Sequence, residues 1–187
     1  MRVAFVSTAS QGKTCLVKRL VSDLKIAGND CTEVVEFARD YIEMYGPPEN
    51  LWEQLEFCRA QRAREELAAR NYEVLVIDNP IWLPSVYGTR NLDPHSVKDI
   101  YPHQKLLEIG LESIKNYDYT FYIRKLFETQ FDNVRKDWGK GIDAEKEFNI
   151  IDKKILGFMH LYNVKYHVVD TSNIEERVNI VRGVVKL

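Results

Sequence analysis

What is scarce in this chain narrows it first. No apolar run is long enough to cross a bilayer and no stretch reads as a signal peptide, which predicts a soluble, cytoplasmic protein with no membrane partner. Only three cysteines occur, Cys15, Cys31 and Cys58, and their odd number and spacing fit neither a zinc site nor a disulfide framework. They are expected as reduced thiols, buried or half-buried. The four histidines, His95, His103, His160 and His167, lack metal-ligand spacing. An excess of positive charge is missing too: 26 Lys and Arg stand against 28 Asp and Glu, so any nucleic-acid contact would need a local patch. There is no internal repeat, low-complexity tract or linker. With 187 residues, 45% hydrophobic and 29% charged, the chain suits one domain over its whole length.

What is present is alternation. Strand-like runs at Arg2 to Val6, Thr32 to Glu36, Glu73 to Asp78, Tyr119 to Ile123 and Lys165 to Val169 are separated by helical stretches. The helices are expected at Lys13 to Ala27, Asn50 to Arg70, His103 to Lys115, Ala144 to His160 and Ile174 to Val185. Asn50/Glu53 and Ser172/Glu175 read as capping boxes. Phe148, Ile151, Ile155 and Phe158 form one apolar stripe, and Ile174, Val178, Val181 and Val185 another, both read as core without chemistry. This order predicts an α/β fold with helices on both faces of a mainly parallel five-stranded sheet. Two polar, turn-rich stretches escape it, Pro80 to Pro102 and roughly 125–143. Long loops inside a compact domain usually carry function, and the second is expected as a lid.

Between the first strand and the first helix lies Ser7-Thr8-Ala9-Ser10-Gln11-Gly12-Lys13-Thr14. It matches the phosphate-loop pattern G-x-x-x-x-G-K-[ST] except at Ser7. In such a loop, backbone N–H groups ring an anionic phosphate at a helix N-terminus, where the helix dipole favours negative charge. Lys13 would reach the β/γ oxygens and Thr14 would offer its hydroxyl to Mg²⁺. Ser7, Ala9, Ser10, Gln11, Gly12, Lys13, Thr14 and Cys15 are thus the candidate ATP contacts.

Further candidates follow from strand ends. Val74-Leu75-Val76-Ile77-Asp78 is continuously apolar and ends in an acid, which places Asp78 at the same sheet edge as the loop, suited to hold Mg²⁺ beside Thr14. A turn-starting role with Asn79-Pro80 is the plainer alternative. Glu36 ends the second strand as a candidate general base, with Arg39 one helical turn on for an acceptor's anionic group; a structural ion pair is equally open. Arg124 closes the fourth strand as a further ATP contact. Arg135, with Lys136 and Lys140 nearby, would bring positive charge from the lid to the transferred phosphoryl, against the alternative of a solvated basic loop. Lys153 and Lys154 read as solvated surface. Trp82 and Tyr87 are candidates to stack on an acceptor ring, with Phe37, Tyr41 and Trp52 as the opposite wall.

With loop, acid and lid together, the chain resembles the small P-loop kinases of the thymidylate-kinase and nicotinamide-riboside-kinase kind, and particularly short phage-encoded members. Ser7 to Thr14, Glu36 to Tyr41, Asp78-Asn79-Pro80 with Tyr87-Gly88, and Phe131 to Arg135 with Ala144 and Asp152 carry the resemblance. Departures are Ser7 for glycine, Asn79 where some relatives carry arginine or serine, and Lys136-Asp137-Trp138 in the lid. The resemblance implies a three-layer P-loop NTPase fold and Mg²⁺-dependent transfer of the ATP γ-phosphate to a nucleoside, a nucleotide or a modified base in DNA. Some similar phage enzymes phosphorylate 5-hydroxymethyluridine within DNA, so DNA carrying that base is one concrete acceptor. The competing reading is a nucleotide-dependent switch or binding ATPase acting on a protein. The chain lacks the Asn-Lys-x-Asp run of guanine recognition and the Leu-Ser-Gly-Gly-Gln signature of transporter ATPases.

Overall fold

The computed structural model describes residues 1–90, 93, 96–127 and 144–186. Its element order is β1 (Arg2–Val6), α1 (Lys13–Ile26), β2 (Cys31–Val34), α2 (Phe37–Tyr45), α3 (Leu51–Ala69), β3 (Val74–Asp78), α4 (Leu83–Gly88), α5 (Val97–Ile114), β4 (Tyr119–Ile123), α6 (Ala144–Leu161), β5 (His167–Val169) and α7 (Ile174–Val185). The five strands form one sheet in the order β2-β3-β1-β4-β5, and every pairing is parallel. The expected α/β fold is thus observed.

Strand periodicity sorts the core into two faces. Val3 and Phe5 of β1, Val74 and Val76 of β3, and Phe121 and Ile123 of β4 point to one side, where Leu16, Leu20 and Leu24 of α1 and Val178, Val181 and Val185 of α7 cover them. Ala4, Val6, Leu75, Ile77 and Tyr122 point to the other, against α3, α4 and α6. Apolar residues at every position of β3 before Asp78 are therefore what a strand covered on both faces requires.

Several elements differ from the sequence reading. β2 stops at Val34, and Glu36 turns the chain (φ −59°, ψ 122°) as the residue before α2, a helix the sequence reading did not separate from the strand. The stretch from Pro80 is not an open cover. Leu83, Ser85, Val86 and Gly88 of α4 are buried, so its first part is core. Helix α5 begins six residues before the expected start and runs through Pro102. Pro102 shares a buried stripe with Leu106, Gly110 and Ser113, so packing overrides the breaker. At α7 the cap is Asn173, whose side chain accepts from the N–H groups of Glu175 and Glu176, rather than Ser172. The Asn50 cap of α3 is as expected, accepting from Trp52 and Glu53. Cys31 and Cys58 are buried, but Cys15 is exposed. None of the described helices is long and apolar enough to cross a membrane.

Candidate active site

Register places the site. Phe5 pairs with Asp78, and Asn79 N–H donates to the Phe5 carbonyl at 3.1 Å, so the turn leaving β1 sits beside the end of β3. This is the crevice at the carboxyl ends of the strands where the strand order reverses, the usual ligand position in open α/β sheets.

The turn from Ser7 to Gly12 bends through left-handed backbone at Ser10 (φ 63°) and Gly12 (φ 73°). Ser7 keeps an ordinary backbone, and its hydroxyl donates to the Thr8 carbonyl at 2.8 Å. The serine is therefore no steric obstacle where glycine is the pattern residue. At Gly12 a side chain would be strained in φ, and its Cβ would stand 3.2 Å from Arg177 Nη1.

Two side chains converge on one carboxylate, that of Asp78. Thr14 Oγ1 donates to Asp78 Oδ2 at 2.5 Å, and Lys13 Nζ lies 3.2 Å from Asp78 Oδ1. Lys13 and Asp78 are both buried. The second contact is ionic without hydrogen-bond geometry, which leaves Oδ1 with no hydrogen-bond donor. Thr8 Oγ1, in the turn after β1, and Asn79 Oδ1, next to Asp78 in the chain, are buried and equally unpartnered. Each such group costs about 1–3 kcal/mol in a fold that never satisfies it. All three belong to the chain just beyond the carboxyl ends of β1 and β3, where a ligand could supply the missing partners. A hydroxyl and a carboxylate with a spare oxygen are hard donors suited to Mg²⁺, which keeps few protein ligands and shares the rest with phosphate and water. Thr14 and Asp78 would hold that ion, and Lys13 would turn to the phosphates.

Beside the loop opens a narrow cleft of about 60 Å³, lined among others by Ser7, Ala9, Lys13, Glu36, Phe57, Gln61, Asn79 and Tyr87. That is room for roughly four waters. The structure brings Glu36 and Tyr87 to the same cavity as Lys13. Arg39, on α2, is not among the residues lining it.

Trp82 is a correction. It is fully buried and stacks on Phe158 at 5.0 Å, so it packs α4 against α6 and presents no face to a substrate. Phe37 and Tyr41 pack on Phe57 (5.8 and 4.8 Å), with Arg64 over the Phe37 ring, and it is Phe57 that reaches the cleft. Trp52 is exposed and lies on Tyr101. Arg124 pairs with Asp170 at the sheet edge. Lys154, expected as bare surface, donates to Thr89 Oγ1 at 2.8 Å. Arg135 and most of the expected lid lie outside the described residues.

The sequence reading missed a buried polar stripe on α3. Gln54, Gln61 and Glu65 share the inward face with Leu51, Leu55 and Cys58. Gln61 Oε1 accepts from Phe37 N–H at 2.9 Å, which fixes the start of α2, and its Nε2 has no partner. Burial lifts the Glu65 pKa from 4.5 to about 7, against hydrogen bonds from Tyr117 and Arg2 that pull it down. The signal was legible as polar residues recurring at i, i+7 and i+11 on an apolar face.

It also missed Arg177, set within a stripe read as inert core. Buried on α7, Arg177 donates from Nε to the Thr171 carbonyl and from Nη1 to the Gln11 carbonyl, both at 2.6 Å. Burial pulls its pKa below the usual arginine value. The Gln11 side chain in turn accepts from Leu126 and Phe127 N–H at 2.8 and 3.0 Å and donates to the Phe127 carbonyl at 3.0 Å. The turn from Ser7 to Gly12 is thus tied to α7 and to the chain leaving β4.

Comparison with known proteins fits this architecture. A crystal structure of NadR protein in complex with NR superposes with a TM-score of 0.70 over the whole of this chain, at 16% sequence identity. The likeness shows the fold. This chain spans about half (51%) of that protein's length. No protein-family model matches the sequence, and none of the curated proteins does.

Proposed function

We propose that this chain is a Mg²⁺-dependent phosphotransferase that moves the γ-phosphate of ATP to a hydroxyl or phosphate of a nucleoside-type acceptor. The observation that carries the reading is the convergence of Lys13 and Thr14 on Asp78, with Lys13 also lining the cleft that holds Glu36. The loop's N–H groups and Lys13 bind and orient the phosphates. Bound Mg²⁺ would neutralise charge on their oxygens. Glu36 is placed to accept the acceptor's proton, a modest contribution where positioning and electrostatics dominate. Arg135 is proposed from sequence as the lid's cation, and Arg124 as a nucleotide contact.

The acceptor class follows from the walls. Phe57 and Tyr87 give the cleft apolar faces, while Gln61 Nε2 and Asn79 Oδ1 are a donor and an acceptor in want of partners. A flat heterocycle carrying a carbonyl and an N–H satisfies both. Among such acceptors we place 5-hydroxymethyluridine in DNA first, supported by the resemblance of the segments around Glu36 and Asp78. NR, bound in the NadR structure, is the next acceptor to try.

ADP formation from Mg-ATP, measured with nucleosides, nucleotides, NR and hydroxymethylated DNA in turn, tests the reading. At least one acceptor should raise the rate well above background and appear phosphorylated. Hydrolysis indifferent to every acceptor but stimulated by a protein would favour the switch instead.

A further inference from the structure

The residues assigned above hold phosphates and an acceptor, and beyond Arg124, a nucleotide contact of unspecified part, none is assigned to the nucleotide's base. We propose that the ring of Phe127 is the platform on which that base stacks, an inference that rests on the phosphotransferase reading. Phe127 follows β4 and belongs to none of the four apolar clusters of the core. The residue is 42% exposed, yet its backbone is fixed at both polar groups by the Gln11 amide. One face lies 5.7 Å from the guanidinium of Arg177, itself pinned by the Thr171 and Gln11 carbonyls.

An exposed aromatic gains little by burial, so the restraint on it is not explained by core packing. What the restraint produces is a ring held in place, backed on one side by a buried cation, with area left open to solvent. It stands one glutamine side chain from the phosphate loop, on the same strand edge. A base stacking there meets a surface already ordered, which lowers the entropy cost of binding. Every base has a π-face, so the platform holds purine nucleotides without choosing among them.

The test compares binding of Mg-ATP, Mg-GTP and inorganic tripolyphosphate to wild-type, Phe127→Ala and Phe127→Tyr proteins by calorimetric titration. Phe127→Ala should weaken ATP and GTP alike by about tenfold or more, the scale of losing one base–aromatic stack. Tripolyphosphate affinity should stay unchanged, and Phe127→Tyr should restore nucleotide binding. Unchanged ATP affinity in Phe127→Ala overturns the platform, and so does an equal loss for tripolyphosphate, which marks damage to the loop. Should wild-type protein bind neither ATP nor tripolyphosphate, the phosphate-loop reading falls and the platform with it.

Discussion

Asp78 is where single-residue chemistry is densest, because one carboxylate receives a hydroxyl, faces an ammonium and still has an oxygen without a hydrogen bond. Burial alone would make that arrangement costly, since a charge removed from water needs full compensation. Lys13 supplies the countercharge. A second residue-scale question is Ser7, the one departure from the phosphate-loop pattern. The left-handed positions are Ser10 and Gly12, so a Cβ at Ser7 meets no forbidden backbone. Ser7→Gly should therefore leave Mg-ATP affinity within about twofold while lowering stability by about 0.5–1 kcal/mol through added chain entropy. Titration and chemical denaturation check both halves. Tenfold tighter binding would show that the serine does distort the loop.

At the scale of elements, α3 is the helix whose construction asks most of its surroundings. Its inward face mixes Leu51, Leu55 and Cys58 with Gln54, Gln61 and Glu65, so it packs and hydrogen-bonds at once. Tyr117 joins this helix to the far side of β3 by donating to Glu65 at 3.0 Å and accepting from Ile81 N–H at 2.7 Å. Glu65 is fully buried, and desolvation holds its folded pKa near 7 against 4.5 in model compounds. The folded state therefore keeps a proton that the unfolded chain has lost, and this group's contribution is greatest below pH 4.5. It declines as pH rises to 7, by about 3 kcal/mol in all. Glu65→Gln removes the titration. The stability difference between variant and wild type should move in the variant's favour by that amount from pH 4.5 to 7.5, read from urea denaturation at each pH. A difference that stays constant with pH would contradict the assignment.

For the whole molecule, the sheet was legible because its central strands are nearly continuous buried runs, with Val74 to Ile77 apolar throughout before Asp78, a pattern that local residues alone produce. The turn from Ser7 to Thr14 stood out for the same reason: Gly12, Lys13 and Thr14 lie within one turn of chain. What escaped depends on distant partners. Trp82 looked available for stacking because nothing in the sequence shows that Phe158 covers it, and Pro102 looked like the end of a loop because its buried stripe forms only against α3 and α4. Arg177 was invisible inside an apolar stripe, since its value lies in reaching Gln11 across 166 residues of sequence. Tertiary contacts of this kind, rather than propensity, decide which polar residues in a helix belong to a site.

The claim beneath all of this is that the turn from Ser7 to Thr14 holds a nucleotide's phosphates through Lys13. Titration of Mg-ATP into wild-type and Lys13→Ala protein, with circular dichroism confirming that both are folded, tests it most directly. The account predicts saturable binding to wild type and a loss of about 10²-fold in the variant, the scale of one charged contact to phosphate. Equal affinity in the two folded proteins would contradict it.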